Sequence, residues 1–121
     1  MPKQLIISNS NETFRVSPER IAYISSDGNY STIVLINKEE NVFTLNLLTF
    51  EKLIEEQLKE EARSFIRLGK SLIINRNYIY LINPTKQQLF LSDICFQGKF
   101  SLTASKEALK NLKEVLDFSI K

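Results

Sequence analysis

The sequence predicts a mainly β domain carrying two helices, and three observations predict it. Short apolar, β-branched runs alternate with polar turn signals along most of the chain. The apolar period becomes helical over Thr49 to Glu61 and again after Ser105. The resulting order is β-rich, helix, β-rich, terminal helix, without the strand–helix alternation that a doubly wound nucleotide-binding fold requires.

Each element follows from its residues. Leu5 to Ser8 and Thr13 to Val16 are strand candidates flanking the polar turn Asn9-Ser10-Asn11. Arg20 to Ser25 puts Ile21, Tyr23 and Ser25 on one face by alternation. Asp27-Gly28 then signals a turn, because glycine accepts the positive φ such turns need. Tyr30 to Ile36 is rich in β-branched residues and breaks at the polar loop Asn37-Lys38-Glu39-Glu40, after which Asn41 to Leu45 returns. In the first helix, Phe50, Leu53, Ile54 and Leu58 form the apolar stripe, with Glu55, Glu56 and Lys59 opposite. Thr49 is expected to cap it, with Leu48 stapled to Leu53. Five strand candidates follow: Phe65 to Leu68, Leu72 to Asn75, Tyr78 to Ile82, Gln88 to Ser92 and Lys99 to Thr103. Asn83-Pro84-Thr85-Lys86 and Gln97-Gly98 are turns between them. Ser105 caps a last helix running to about Phe118, with Leu109, Leu112 and Leu116 inward.

With 121 residues, 43% of them hydrophobic, the chain has material for one domain over 1–121 and too little for two ordinary ones. No 18-residue apolar run occurs, so no membrane span is expected, and the N-terminal stretch lacks the features of a secretion signal. One cysteine, Cys95, forms no internal disulfide; this fits a reducing, cytoplasmic location, with the thiol as a small buried hydrophobe. Histidine is absent, which removes the usual general base and the usual metal ligand. There is no C-x-x-C pair, and Asp27 and Asp93 stand in separate turns, so neither a metal, a cofactor nor catalysis is expected.

Gly69-Lys70-Ser71 resembles the end of a phosphate-binding loop. The position five before Gly69 is Ser64, and Leu72-Ile73-Ile74 follows where a helix should begin. The stretch is two short strands joined at a basic corner. Charge is uneven around it. Lys38 to Ala62 holds three Lys and seven Glu, a balance of −4, whereas Arg63 to Lys113 holds nine Lys or Arg against Asp93 and Glu107, a balance of +7. Such separation predicts a basic surface for a polyanion, with solvated lysines as the plain alternative.

RIAYIS, DGNY, LLTFEKLIEEQL, FIRLGKSLIINRNYIYLI and LTASKEALKNL together resemble the LytTR DNA-binding domain, over roughly Leu5 to Leu116. The most specific block runs from Phe65 to Ile79. The family reads there as Phe, any residue, Arg, any residue, His, a basic residue, Ser, then an apolar run ending in Asn and a following Ile. The chain matches at Phe65, Arg67, Lys70, Ser71, Asn75 and Ile79, and departs at Gly69, where the family commonly has histidine. Neither a receiver nor a membrane-sensor segment is evident. The chain therefore resembles a stand-alone domain or a piece of a longer regulator. The resemblance implies elongated antiparallel β-sheets with one inserted amphipathic helix and a C-terminal helix. It also implies that loops between strands enter successive major grooves of double-stranded DNA, commonly at repeated sites.

Three regions are the implied DNA contacts. At the corner, Lys70 can reach phosphate or guanine, and Ser71 phosphate or base. At the first turn, Asn29 and Tyr30 are candidates, although Tyr30 could be core. At the last helix, Ser105, Lys106 and Lys110 lie where free amides and the helix dipole favour anions. Arg76 is a further phosphate candidate. Arg67 and Asn75 match the motif but could equally make structural hydrogen bonds, and Asn75 is expected to be mainly structural. The aromatics Tyr23, Tyr78, Tyr80, Phe90 and Phe100 are expected in the core or on a strand surface. The function implied is sequence-specific DNA binding by a bacterial transcription regulator, as a homodimer on repeated sites or with a partner sensor or regulator protein. The rival from another class is a protein-interaction or sensory module that has kept the fold and lost DNA binding. An RNA or single-strand binder ranks below both, and an enzyme ranks last.

Overall fold

The computed structural model describes residues 3–92 and 98–120, the last three by backbone alone. Its first half contains β1 (Leu5–Ser8), β2 (Thr13–Val16), β3 (Ile21–Ser26), β4 (Ser31–Leu35), β5 (Glu40–Phe43) and the helix α1 (Leu47–Leu58). The second half contains β6 (Phe65–Leu68), β7 (Leu72–Asn75), β8 (Ile79–Asn83), β9 (Gln88–Leu91), β10 (Phe100–Thr103) and the helix α2 (Lys106–Ile120). Short 3-10 turns at Pro18–Arg20, Lys59–Ser64 and Arg76–Tyr78 lead into β3, β6 and β8.

All strand pairs are antiparallel. The central sheet has the order β5-β4-β3-β7-β6, flanked by the β1-β2 hairpin and by a three-stranded sheet β10-β9-β8. Both faces of the central sheet are covered. On one face, Ile21, Ile24, Ile33, Leu35 and Ile73 pack with Leu5, Val16 and the α1 side chains Leu47, Phe50, Ile54 and Leu58. On the other, Ala22, Val34, Leu68, Leu72 and Ile74 pack with Leu89, Leu91 and Phe100 of the three-stranded sheet and Leu109 and Leu112 of α2. Each Val, Leu, Ile or Phe side chain among them taken from water contributes about 1.5–3 kcal/mol, so the two cores hold all three sheets together. The acidic outer face of α1 (Glu55 and Glu56, both exposed) is thereby turned away from the face that carries α2.

Burial on both faces explains one departure from simple alternation. Ile21 pairs with Leu35 and Tyr23 with Val34, so Ala22 is a bulge in β3. The extra residue reverses the phase, so Ile21 lies in the α1 core while Ala22 and Tyr23 lie in the α2 core. The expectation that Ile21 and Tyr23 share a face therefore fails.

The start of α1 is also corrected. Its cap is Asn46, whose Oδ1 accepts from the Thr49 amide at 2.8 Å. Thr49 lies inside the first turn and donates its hydroxyl to the same oxygen. Leu48 is consequently helical and 53% exposed, so no staple to Leu53 forms. The helix ends at Leu58 and not at Glu61. The Ser105 cap is as expected, with the hydroxyl accepting from Ala108 N at 3.1 Å. The expectations for Asp93, Cys95 and the Gln97 side of the Gln97-Gly98 turn fall outside the described residues.

Lys59 closes α1 at φ 53°, ψ −110°, a region that glycine enters freely and a side chain does not. Lys59→Gly should raise the free energy of urea unfolding by about 1 kcal/mol with an unchanged m-value.

Candidate nucleic-acid interface

The pairing of β3 with β7 puts two distant turns side by side. Its register runs from Tyr23 opposite Ile74 to Ser25 opposite Leu72, and Ser26 N then donates to Ser71 O at 2.9 Å. The turn after β3 and the corner before β7 therefore share one end of the sheet. In the first turn, Asp27 N donates to Tyr30 O at 3.1 Å, and the Ser26 hydroxyl donates to the same oxygen. Gly28 takes φ 106°, and Asn29 and Tyr30 project outward. Tyr30 is 54% exposed, which removes it from the core. The corner itself is a tight turn between β6 and β7, with Gly69 at φ 66° and Lys70 and Ser71 exposed. A strand after the serine rules out a phosphate-binding loop.

The start of α2 reaches the same end. A cleft of about 390 Å³ is walled on one side by Gly69, Lys70 and Ser71 and on the other by Thr103, Ala104 and Ser105. The amide of Ala108 is taken by the Ser105 hydroxyl and that of Leu109 by the Ser105 carbonyl, and the amides before them, at the helix N-terminus, have no intrahelical acceptor. Lys106 and Lys110 stand one turn apart on α2, both exposed. Lys70, Lys106 and Lys110 form no ion pair among the described residues.

Register adds a residue that the sequence reading did not single out. Asn83 and Thr103 both pair with Gln88, so the β8–β9 turn lies at the end of the three-stranded sheet where β10 runs into Ser105. Lys86 is exposed on that turn, held by Asn83 Oδ1 accepting from its amide at 3.1 Å. Finding it required the strand register, which the sequence does not state.

Other motif residues lie elsewhere. Arg76 follows the far end of β7, about 13 Å from the corner at ~3.3 Å per strand residue, and the structure does not bring it to the shared end. Asn75 is buried, its amide donating to Ile21 O at 2.9 Å and its Oδ1 accepting from Asn77 N at 3.0 Å, a structural role as expected. Arg67 pairs with Glu51 of α1 at 2.7 Å and donates to Gly69 O at 3.1 Å. Lys113 pairs with Asp117, and Lys99 stacks 4.5 Å from the Tyr80 ring centre. The basic stretch from Arg63 to Lys113 is thus divided. Lys70, Lys86, Lys106 and Lys110 belong to the shared end and its helix, while Arg63, Arg76 and Lys99 lie toward the opposite one. Of the aromatics, Tyr78 and Phe100 are buried and Tyr80 is 60% exposed.

The profile of the LytTr DNA-binding domain family matches residues 11–117, nearly the whole chain. The chain belongs to this family. Comparison with curated proteins gives no match. Among solved structures, the LytTr chain is similar to a LytTr DNA-binding domain from Bacillus cereus, taken from a protein described as a methyl-accepting/DNA response regulator. The TM-score is 0.63 at 19% identity, over 94% of this chain and 96% of the other, and the likeness extends to the fold. LytTr domains are DNA-binding domains, not an enzyme family. Among the described residues no group of three His, Cys, Asp or Glu could hold a metal, and no helix is long and apolar enough to cross a membrane.

A Cβ built on Gly69 meets nothing within 4 Å, so only the positive φ opposes a side chain there. Gly69→Ala should cost about 1–2 kcal/mol in urea denaturation, the ordinary penalty for a left-handed L-residue, with no added term for a clash.

Proposed function

We propose that this LytTr chain acts as one unit that binds double-stranded DNA sequence-specifically and regulates transcription, entering the major groove with its loop end. The observation that carries the reading is the hydrogen bond from Ser26 N to Ser71 O, because it seats the Asn29 turn against the Lys70 corner, beside the Ser105 end of α2. Three loop tips on one rigid base suit a grooved, periodic polyanion. Lys70, Lys86, Lys106, Lys110 and the free amides of α2 supply sequence-independent attraction to phosphates. Asn29, Tyr30 and Ser71, with Lys70 where it reaches guanine, supply base preference, since short polar side chains on a projecting turn can reach base edges. The expected setting is the bacterial cytoplasm, with a second copy on a repeated site or a partner regulator. The absent side chain at Gly69 favours one rival, an interaction or sensory module that no longer binds DNA.

Titration against random-sequence duplex at low salt separates the two readings, since a DNA-binding domain shows non-specific affinity there and the rival shows none. With about five phosphates neutralised, log affinity should fall against log salt with a slope of about −4.5. Lys70→Ala should cost about 1–3 kcal/mol on a selected site, measured by fluorescence anisotropy, while Arg76→Ala should leave the salt slope unchanged.

A further inference from the structure

Arg67 stands in β6, an edge strand of the central sheet, opposite Ile73 and therefore on the α1 face. Its guanidinium is engaged on two sides. Nη1 donates to Glu51 Oε1 at 2.7 Å, and Nε donates to the carbonyl of Gly69, two residues further on, at 3.1 Å. The helix that carries Glu51 is fixed by Phe50 and Ile54, both in the core. Gly69 is held by the β6–β7 turn, which Leu68 opposite Leu72 closes, and by no side-chain packing of its own. It lacks a side chain, sits at φ 66°, and has open space where a Cβ would be, so no packing selects its conformation. What holds its carbonyl is the arginine fork, a planar group suited to two fixed hydrogen bonds at once.

From this we infer that Arg67 is a positioning residue for the DNA-reading corner. It acts through the Gly69 carbonyl, anchored by Glu51, and does not touch the DNA. The mechanical path runs from the α1 core through Glu51 and Arg67 to Gly69, and so to Lys70 and Ser71. The carboxylate of Glu51 offsets the charge of the arginine that holds both partners, which reduces its attraction for a phosphate. Both side chains are about one-third exposed, 31% and 38%, so the pair adds little to global stability and its variants should fold. Its effect is to narrow the conformations of a corner that has to meet a groove in one orientation.

The inference rests on the DNA-binding reading, and its test has one arm that does not. With random-sequence duplex at low salt, Arg67→Gln should weaken binding about three- to tenfold without altering the salt slope. A phosphate contact would instead reduce the slope by about 0.9, and that result overturns the proposal. In a Glu51→Ala background the Arg67→Gln effect should shrink below about twofold, because the anchor is already gone. Growth of the effect in that background would mean that Arg67, once released, reaches the DNA, and it too overturns the proposal. Arg67→Lys keeps the charge but loses the Nε donor, and should bind as weakly as Arg67→Gln. The DNA-free arm is amide relaxation: the Lys70 order parameter should drop from about 0.85 toward about 0.6 in Arg67→Gln. If the wild-type chain binds no duplex, the DNA-binding reading fails and this arm still decides; an unchanged Lys70 order parameter rejects the brace.

Discussion

The antiparallel ladder between β3 and β7 is the pairing on which the rest depends. Ile24 faces Ile73 across it although the whole first helix and three strands intervene in the sequence. It makes the centre of the sheet, supplies buried residues to both cores, and brings the turn at 27–30 beside the corner at 69–71. Neither turn has much packing of its own. Gly28 and Gly69 both have open space around the position of a Cβ. Their relative placement is inherited from a rigid pair of strands, the arrangement by which binding loops commonly gain precision from a scaffold.

Charge follows the same construction. The acidic and basic halves of the sequence fold onto opposite faces of the central sheet, α1 with its exposed glutamates on one and α2 with its lysines on the other. Yet the basic half is not gathered whole. Its members fall at opposite ends of the sheets according to which strand each one precedes or follows, because successive antiparallel strands alternate direction. The tips that face together are those after β3, β6 and β8 and the one before α2. That selection comes from topology and not from composition.

This difference marks how much was legible in the residues themselves. The strands, the Asp27-Gly28 and Asn83-Pro84 turns, the corner at Gly69 and the Ser105 cap all follow from local chemistry, and local chemistry decided them. The buried role of Asn75 was legible because an amide at a strand end beside a turn commonly satisfies backbone groups. The Ala22 bulge was not, since it arises from fitting one strand between two cores. Asn46 displaced Thr49 as the cap because a helix start is settled by which side chain reaches the free amides, and two polar residues three apart compete for it. Lys86 gained, and Arg76 lost, a place at the loop end through strand pairings, which period and propensity do not encode.

Gln57 carries a consequence of a different kind. Its side-chain amide donates to Ile6 O at 2.9 Å and accepts from Ile6 N at 2.7 Å, so it imitates one residue of a neighbouring strand along the outer side of β1. Leu5-Ile6-Ile7 is the sort of apolar edge that recruits like segments from other molecules into fibrous aggregates. The helix therefore acts as a guard on that edge. Loosening α1 locally, with the rest of the fold intact, would uncover that strand edge, so partial opening of the native state already exposes a surface for self-association.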